Sequence, residues 1–495
     1  MSTKFLIAVS SGRGPWYAVR DMSPAGKEQI AHAEAHSASL SRELRLGDLA
    51  LLQVLLIVGL PWIGYAAKVG GAHVWLWLAA IPLFYLPLAA TVIYLSRRMP
   101  LEGGVYQWVK IGISPAAGFQ AGWNYAFLFI LFYANSGSVA VNSIAYLLGP
   151  RYQWMNESKP LLIAMNVAFF VLVFLVNVRG LHLARWFTGA GGALIIGLYL
   201  LVIALFVARL LSGEPTPQPV VAFAWPAMTL ATLNLFTKMV LNALSGFEQV
   251  AIFAGECHTP ERNIARSVWI AGPGIALLYI LGTCGMLAYV PLDRADLIAP
   301  VPQILGVALH SSPLASALGG ASILALLFAY FTQTVACVAQ VSRLPMVAGW
   351  DGLFPARFSA LHPKYRTPVR SLAAVSVICV ILGAASLGQV GEQEANQILI
   401  AAAMACCGIY YLAMFAVVAR QRGAPAWLRF SVFAAAAVTV AAVVMDAIPV
   451  LEVAKPLMFA AKVVGVVLAL NAVGVWAYRR AATGRRETLR ARASD

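Results

Sequence analysis

Charge is what this chain has least of: 11% of its 495 residues are Asp, Glu, Lys or Arg, where a soluble globular protein carries about 25%. With 61% of the residues hydrophobic, too little polar surface is left for an ordinary water-soluble fold. Acids are the scarcer sign, 20 against 35 bases, for a net charge of +15. The surplus base sits in short segments between apolar blocks and forms no continuous patch, so no nucleic-acid partner is expected. The six cysteines (Cys257, Cys284, Cys337, Cys379, Cys406 and Cys407) show neither metal nor disulfide spacing and read as small core residues. The seven histidines (His32, His36, His73, His182, His258, His310 and His362) fall in loops, tails and span ends and do not converge. No Walker-type phosphate loop occurs, so neither an intramembrane metalloenzyme nor a directly ATP-driven pump is expected. Strict alternation over ten-residue runs, the signature of a membrane β-barrel, is absent. The apolar run near Phe5–Val9 is too short for a secretory signal.

What the chain does have is apolar blocks of around 20 residues, enough to cross about 30 Å of hydrocarbon at 1.5 Å per residue. Backbone groups in lipid must be satisfied internally, so such blocks mean helices. About twelve transmembrane helices are predicted in an all-α integral membrane protein. The block 115–148 exceeds the length of one span and is expected to tilt or carry an interfacial turn. Of the 35 Lys and Arg, 27 fall on the side of the N-terminus, so both termini are expected in the cytoplasm. Residues 1–46, polar and rich in Ser and Ala, read as a disordered cytoplasmic tail.

Two spans are interrupted near their middles. The first holds Gly59-Leu60-Pro61-Trp62-Ile63-Gly64, where proline removes a donor and glycine permits non-helical dihedrals. The sixth holds Ser245-Gly246-Phe247-Glu248. A membrane helix unwinds only where protein or a water-filled cavity receives the freed groups. The two spans are five apart and cross in opposite senses, which points to an inverted-repeat transporter with its site between the repeats. Helix ends and free N–H groups suit a carboxylate, and unpaired carbonyls suit an ammonium, so a zwitterion fits. Kinks made only for close packing are the competing explanation.

Three ordered motifs carry a resemblance. Gly246-Phe247-Glu248 through Ala254-Gly255-Glu256 and on to Pro260 and Asn263 resembles the sixth-helix signature of the amino acid–polyamine–organocation (APC) superfamily. Pro100-Leu101-Glu102-Gly103-Gly104-Val105-Tyr106 resembles its Pro-x-x-Gly-Gly-x-Tyr element, and Arg343 through Asp351, Gly352 and Pro355 to His362 and Thr367-Pro368 its loop after helix eight. The resemblance implies a five-plus-five inverted repeat (LeuT-like) with two added helices: residues 47–212 as the first repeat, 228–420 as the second, 427–479 as the last two spans and 480–495 as a basic cytoplasmic tail. It also implies a substrate site at Gly59, Pro61, Trp62, Ile63 and Gly64, at Ala243, Ser245, Gly246 and Phe247, and along a wall from helix three at Asn124 and Tyr125. Some proton-coupled members carry a lysine in helix five; Ile195 stands there in this chain.

Individual residues add to this. Glu248 is the acid nearest a break, and an ionisable group at membrane depth is a functional candidate: a titrating or gating group, or a cap on free amides. Lys238, two turns earlier, either snorkels to the interface or faces an outer vestibule. Trp62 and Phe247 are candidate gates over an ammonium. Tyr330, Thr332, Gln333 and Thr334 of helix eight read as polar glue between helices or as part of a cation site. The cluster Arg357, Lys364, Arg366 and Arg370 sets topology and meets anionic lipid. The chain therefore reads as a secondary transporter of an amino acid or related amine in the plasma membrane, bacterial inner membrane by resemblance. Its expected partners are that small solute and the bilayer, with no assigned oligomeric state and no cofactor or metal beyond a coupling H+ or Na+. A polyamine or organic-cation carrier and a transporter-fold sensor are the alternatives.

Overall fold

Proline and glycine decide where the apolar blocks become helices. Pro61, Pro115, Pro260, Pro300, Pro313 and Pro456 each open a helix, at the position where a missing N–H costs nothing. The computed structural model describes residues 24–292, 300–310, 312–389, 392–421, 423–448 and 456–494. Helix α1 (Pro24–Ser37) precedes the first span, which is split into α2 (Leu46–Ile57) and α3 (Pro61–Ala67) with a 51° bend between them. The second span runs from α4 (His73–Ala80) through a π-helical turn at Ile81–Tyr85 into α5 (Leu86–Arg98), followed by the short α6 (Val105–Gly112). Then come α7 (Pro115–Tyr133), α8 (Ser136–Leu148), α9 (Lys159–Val178) and α10 (Leu181–Ser212).

The sixth segment comprises α11 (Leu230–Lys238), a π-helical turn at Met239–Ala243 and a 3₁₀ stretch at Phe247–Glu256. The remaining helices are α12 (Pro260–Tyr289), α13 (Pro300–Ala308), α14 (Pro313–Trp350), α15 (Val369–Gln389), α16 (Glu392–Arg420), α17 (Ala426–Asp446) and α18 (Pro456–Ser494). Among the described residues ten helical stretches are long and apolar enough to cross a membrane, eleven with the bent α2–α3 pair. The sixth segment completes the expected twelve without containing a continuous helix of spanning length.

The core surrounds the two broken segments. Helix α2 packs on α10 and α12, the 3₁₀ stretch touches α2, α12 and α14, and α16 lies against α7 and α17. Leucines, phenylalanines and tryptophans on the outside, such as Trp186, Leu172 and Phe433, stay exposed where lipid would cover them.

One expectation needs correction. The tail is not disordered over 24–46: Ile30, Ala33, Leu40 and Leu44 are buried. Glu43 and Leu44 donate their N–H groups to the Glu256 carbonyl at 2.9 and 3.1 Å, and His258 donates back to Leu44 at 3.0 Å. A few apolar residues spaced to one side were hidden by the polar average. Residues 1–23 lie outside the described residues. Within the block 115–148 a turn at Ala134–Asn135 separates α7 from α8. Over 480–494 the basic C-terminal stretch continues α18 as helix.

Candidate substrate site between two broken helices

The first break is narrower than the Gly59–Gly64 run suggested. It covers Val58 to Leu60, and Pro61 starts the second half-helix. Its freed groups are met by side chains from other helices. The Tyr279 hydroxyl of α12 donates to the Ile57 carbonyl at 2.8 Å and accepts from the Gly59 N–H at 3.1 Å. The Tyr199 hydroxyl of α10 donates to the Gly59 carbonyl at 3.2 Å, and Gln333 Nε2 of α14 donates to the Leu55 carbonyl at 2.7 Å. Of the polar residues of helix eight, Gln333 thus serves the break directly. Thr332 and Thr334 return their hydroxyls to their own helix at Ala329 and Tyr330, while Tyr330 reaches toward Ser136 at 3.4 Å.

At the second break Gly246 has φ +123°, a region that side chains rarely enter. Its N–H donates to the Tyr411 hydroxyl at 2.9 Å. Glu248, fully buried, accepts from Tyr410 at Oε1 (2.8 Å) and from Tyr411 at Oε2 (2.9 Å). Both tyrosines belong to α16, which no sequence signal had assigned to the site; adjacent tyrosines in an otherwise apolar span were the available clue. The Tyr125 hydroxyl donates to Gln340 Oε1, and Gln340 Nε2 reaches Gln249 Oε1 at 3.2 Å. The ring of Tyr125 lies 5.3 Å from Tyr410, and Phe247 lies 4.9 Å from Tyr85. One buried carboxylate is therefore held by two phenols inside an aromatic wall, where a cation finds both charge and ring faces.

The candidate residues do not all converge. Ile63, Gly64, Ala243, Gly246, Phe247, Glu248 and Tyr125 are buried at or beside the two breaks, Trp62 and Ser245 are partly covered, and Pro61 is exposed. Asn124 faces elsewhere: it exchanges side-chain hydrogen bonds with Asn471 of α18 at 2.8 and 3.2 Å. A 100° step along α7 separates it from Tyr125, so one helix cannot aim both at the same cavity. Replacing Asn124 by Leu should therefore lower thermal stability modestly, by about 0.5–1.5 kcal/mol, since the Asn471 amide keeps Gln120 and the Val467 carbonyl, and leave the apparent affinity for substrate unchanged. Uptake kinetics beside thermal unfolding check this.

Lys238 is paired with an acid from another helix. It is buried, and its ammonium donates to Asp446 Oδ1 of α17 at 2.7 Å. An ammonium at that depth is costly without a partner, and the acid that neutralises it lies 208 residues away in sequence.

The motif residues gather on the side of the N-terminus. Arg343 of α14 clamps Glu256 through Nη2 at 2.9 and 3.1 Å. Glu102 Oε2 accepts from the Gly255 N–H at 2.8 Å. Burial first and the neighbouring Glu256 carboxylate second push the Glu102 carboxyl well above the usual range, and it is Glu256 that pairs with Arg343. Gly103 and Gly104, both at positive φ, let this loop approach so closely that a Cβ on Gly104 would sit 2.9 Å from the Ala251 backbone. Lys110 and the Tyr106 hydroxyl close on Asp351 at 2.6 Å each. Together with α1, whose His36 stacks on Trp350 at 5.4 Å, these contacts join α1, α6, the sixth segment and the end of α14 on that face.

Two interrupted membrane segments beside a buried carboxylate are the arrangement expected of a membrane transporter, and the comparisons with known proteins agree. The chain belongs to the amino acid permease family, whose model matches residues 46–470, and with it to the APC superfamily. It is similar to an uncharacterized transporter of Legionella pneumophila, 23% identical over 77% of this chain and 81% of that one. It is also similar to the low-affinity putrescine importer PlaP of Escherichia coli, 28% identical over 58% of this chain and 62% of that one. Among solved structures, MhsT in complex with L-phenylalanine matches with a TM-score of 0.55 at 15% identity, covering 82% of this chain and 98% of that one. That likeness shows the fold, the five-plus-five architecture with two added helices.

Proposed function

We propose that this secondary transporter carries an amino acid or closely related amine across the plasma membrane by alternating access, with both termini in the cytoplasm. The observation that carries this reading is Glu248, the one acid at either break, held by Tyr410 and Tyr411 beside the rings of Phe247 and Tyr125. An arriving ammonium takes up the carboxylate's free lone pairs and the ring faces, and the exchange of partners loosens α16 from the sixth segment. The Glu256–Arg343 and Lys110–Asp351 contacts gate the cytoplasmic side, and Lys238–Asp446 is placed to gate the other. Coupling runs through H+ or Na+, or through exchange for a second substrate.

The decisive measurement is uptake of labelled amino acids and putrescine into proteoliposomes, with and without a pH gradient, sodium and internal substrate. Saturable amino acid uptake supports the reading, and the condition that drives it names the coupling. Glu248→Gln should raise the apparent Kd by about ten- to a hundredfold, the loss of a charge-assisted hydrogen bond worth about 1.5–3 kcal/mol. Unchanged uptake and unchanged pH dependence in that variant would remove Glu248 from both roles.

A diamine is the second reading, favoured by the resemblance to an importer named for putrescine. A diamine needs a second carboxylate, and Asp446, a buried acid on α17 where that helix packs against α11, is already paired with Lys238. Uptake of putrescine without that of any amino acid would reverse the order.

A further inference from the structure

Helix α12 begins directly after the broken sixth segment and packs against the end of α5. In the seam between them lies a cavity of about 330 Å³ lined by Arg97, Glu261, Arg262 and Arg266. Its three guanidinium groups have no ion-pair or hydrogen-bond partner among the described residues, although Glu261 lies at the same rim. All three arginines are exposed, so the pocket opens to the surface and presents three like charges that a bound anion would pair with. Each is a forked donor suited to phosphate oxygens.

A second observation identifies the kind of anion. From Arg262 and Arg266 the same face of α12 continues into Trp269 (65% exposed), Ile270 (57%) and Leu277 (56%). At 1.5 Å per residue, this apolar strip extends about 16 Å from Arg266. A free phosphate has no use for such a strip, whereas a lipid needs a polar seat joined to an apolar wall running into the bilayer.

We propose that the seam between α5 and α12 is a binding site for an anionic phospholipid, with its phosphate among Arg97, Arg262 and Arg266 and an acyl chain along Trp269, Ile270 and Leu277. A headgroup there ties the first turn of α12 to the end of α5. The segment next to that turn, Phe247–Glu256, carries both Glu248 and Glu256, the partner of Arg343, so lipid composition reaches the transport cycle through it.

The test uses the full chain purified in detergent, with thermal unfolding followed on adding phosphatidylglycerol, phosphatidylcholine or inorganic phosphate. Phosphatidylglycerol should raise Tm, and phosphatidylcholine and phosphate should not. R97Q/R262Q/R266Q should remove most of the rise, while R420Q/R429Q/R479Q, which removes as much positive charge from exposed positions away from the seam, keeps it. W269A/I270A, which leaves every charge in place, should at least halve it. If the triple substitution itself lowers the basal Tm, R262Q alone carries the test and should at least halve the rise. A rise unaltered by R262Q and by the triple variant overturns the proposal. So does a rise given equally by inorganic phosphate and lost in the triple variant, which would make the seam a soluble-anion site.

Discussion

Replacing Arg343 by Met should be the most damaging single change in the molecule outside the hydrophobic core. Arg343 is 2% exposed and bonds to both Glu256 oxygens and to the Ala339 carbonyl at 2.8 Å, with its guanidinium 5.1 Å above the Phe253 ring. Removing one partner of a buried pair leaves the other charge uncompensated, at about 3–5 kcal/mol. Here the stranded charge is Glu256, beside Glu102. Thermal unfolding in detergent should show a large loss of Tm, and R343K should recover only part of it, because one ammonium cannot reproduce the fork. The double variant E256Q/R343M, with neither charge, should be more stable than R343M alone. If R343M and the double variant melt together, the pair does not hold α14 to the sixth segment.

Gly246→Ala should abolish uptake with little effect on membrane insertion. A Cβ there would lie 2.5 Å from Gln249 Nε2 and 2.9 Å from Ile57 Cγ1, at φ +123°. The dihedral alone costs about 1–3 kcal/mol, and the contacts push the two broken segments apart where they meet. The Gly246 N–H also bonds to the Tyr411 hydroxyl that holds Glu248, so a small shift of Gly246 moves the carboxylate. A fall of at least tenfold in uptake, about 1.4 kcal/mol, is expected, against none for Gly465→Ala, whose Cβ would meet nothing within 4 Å. Equal uptake by the two variants would show that Gly246 permits the break without controlling it.

Much of the architecture was legible because bilayer physics writes itself in block lengths, and because Gly and Pro mark where helices stop. Glu248, Gly246 and Phe247 could be found by the rarity of a charge and a glycine in one apolar run. The partners could not. Tyr410, Tyr411, Tyr199 and Tyr279 lie in spans whose facing direction only packing sets, and an aromatic in a membrane helix carries little information by itself. Asn124 was misplaced for the same reason: its neighbour Tyr125 does reach the interior, and one residue of register turns the side chain by 100°. Lys238 needed Asp446, a pairing invisible at that sequence separation. The ordered stretch 24–46 was lost in an average, since four apolar contacts suffice to dock a segment whose composition is polar.

The Tyr279 hydroxyl sits astride the first break, giving its proton to the carbonyl before it and taking one from the amide after it. On the function proposed above, a substrate carboxylate claiming the Gly59 N–H would displace a phenol rather than water, trading one hydrogen bond for another. The phenol would keep its bond to the Ile57 carbonyl. Occupancy would then be felt first by α12, the helix that carries Tyr279, so the break would act as a two-position relay whose resting member is part of the protein itself.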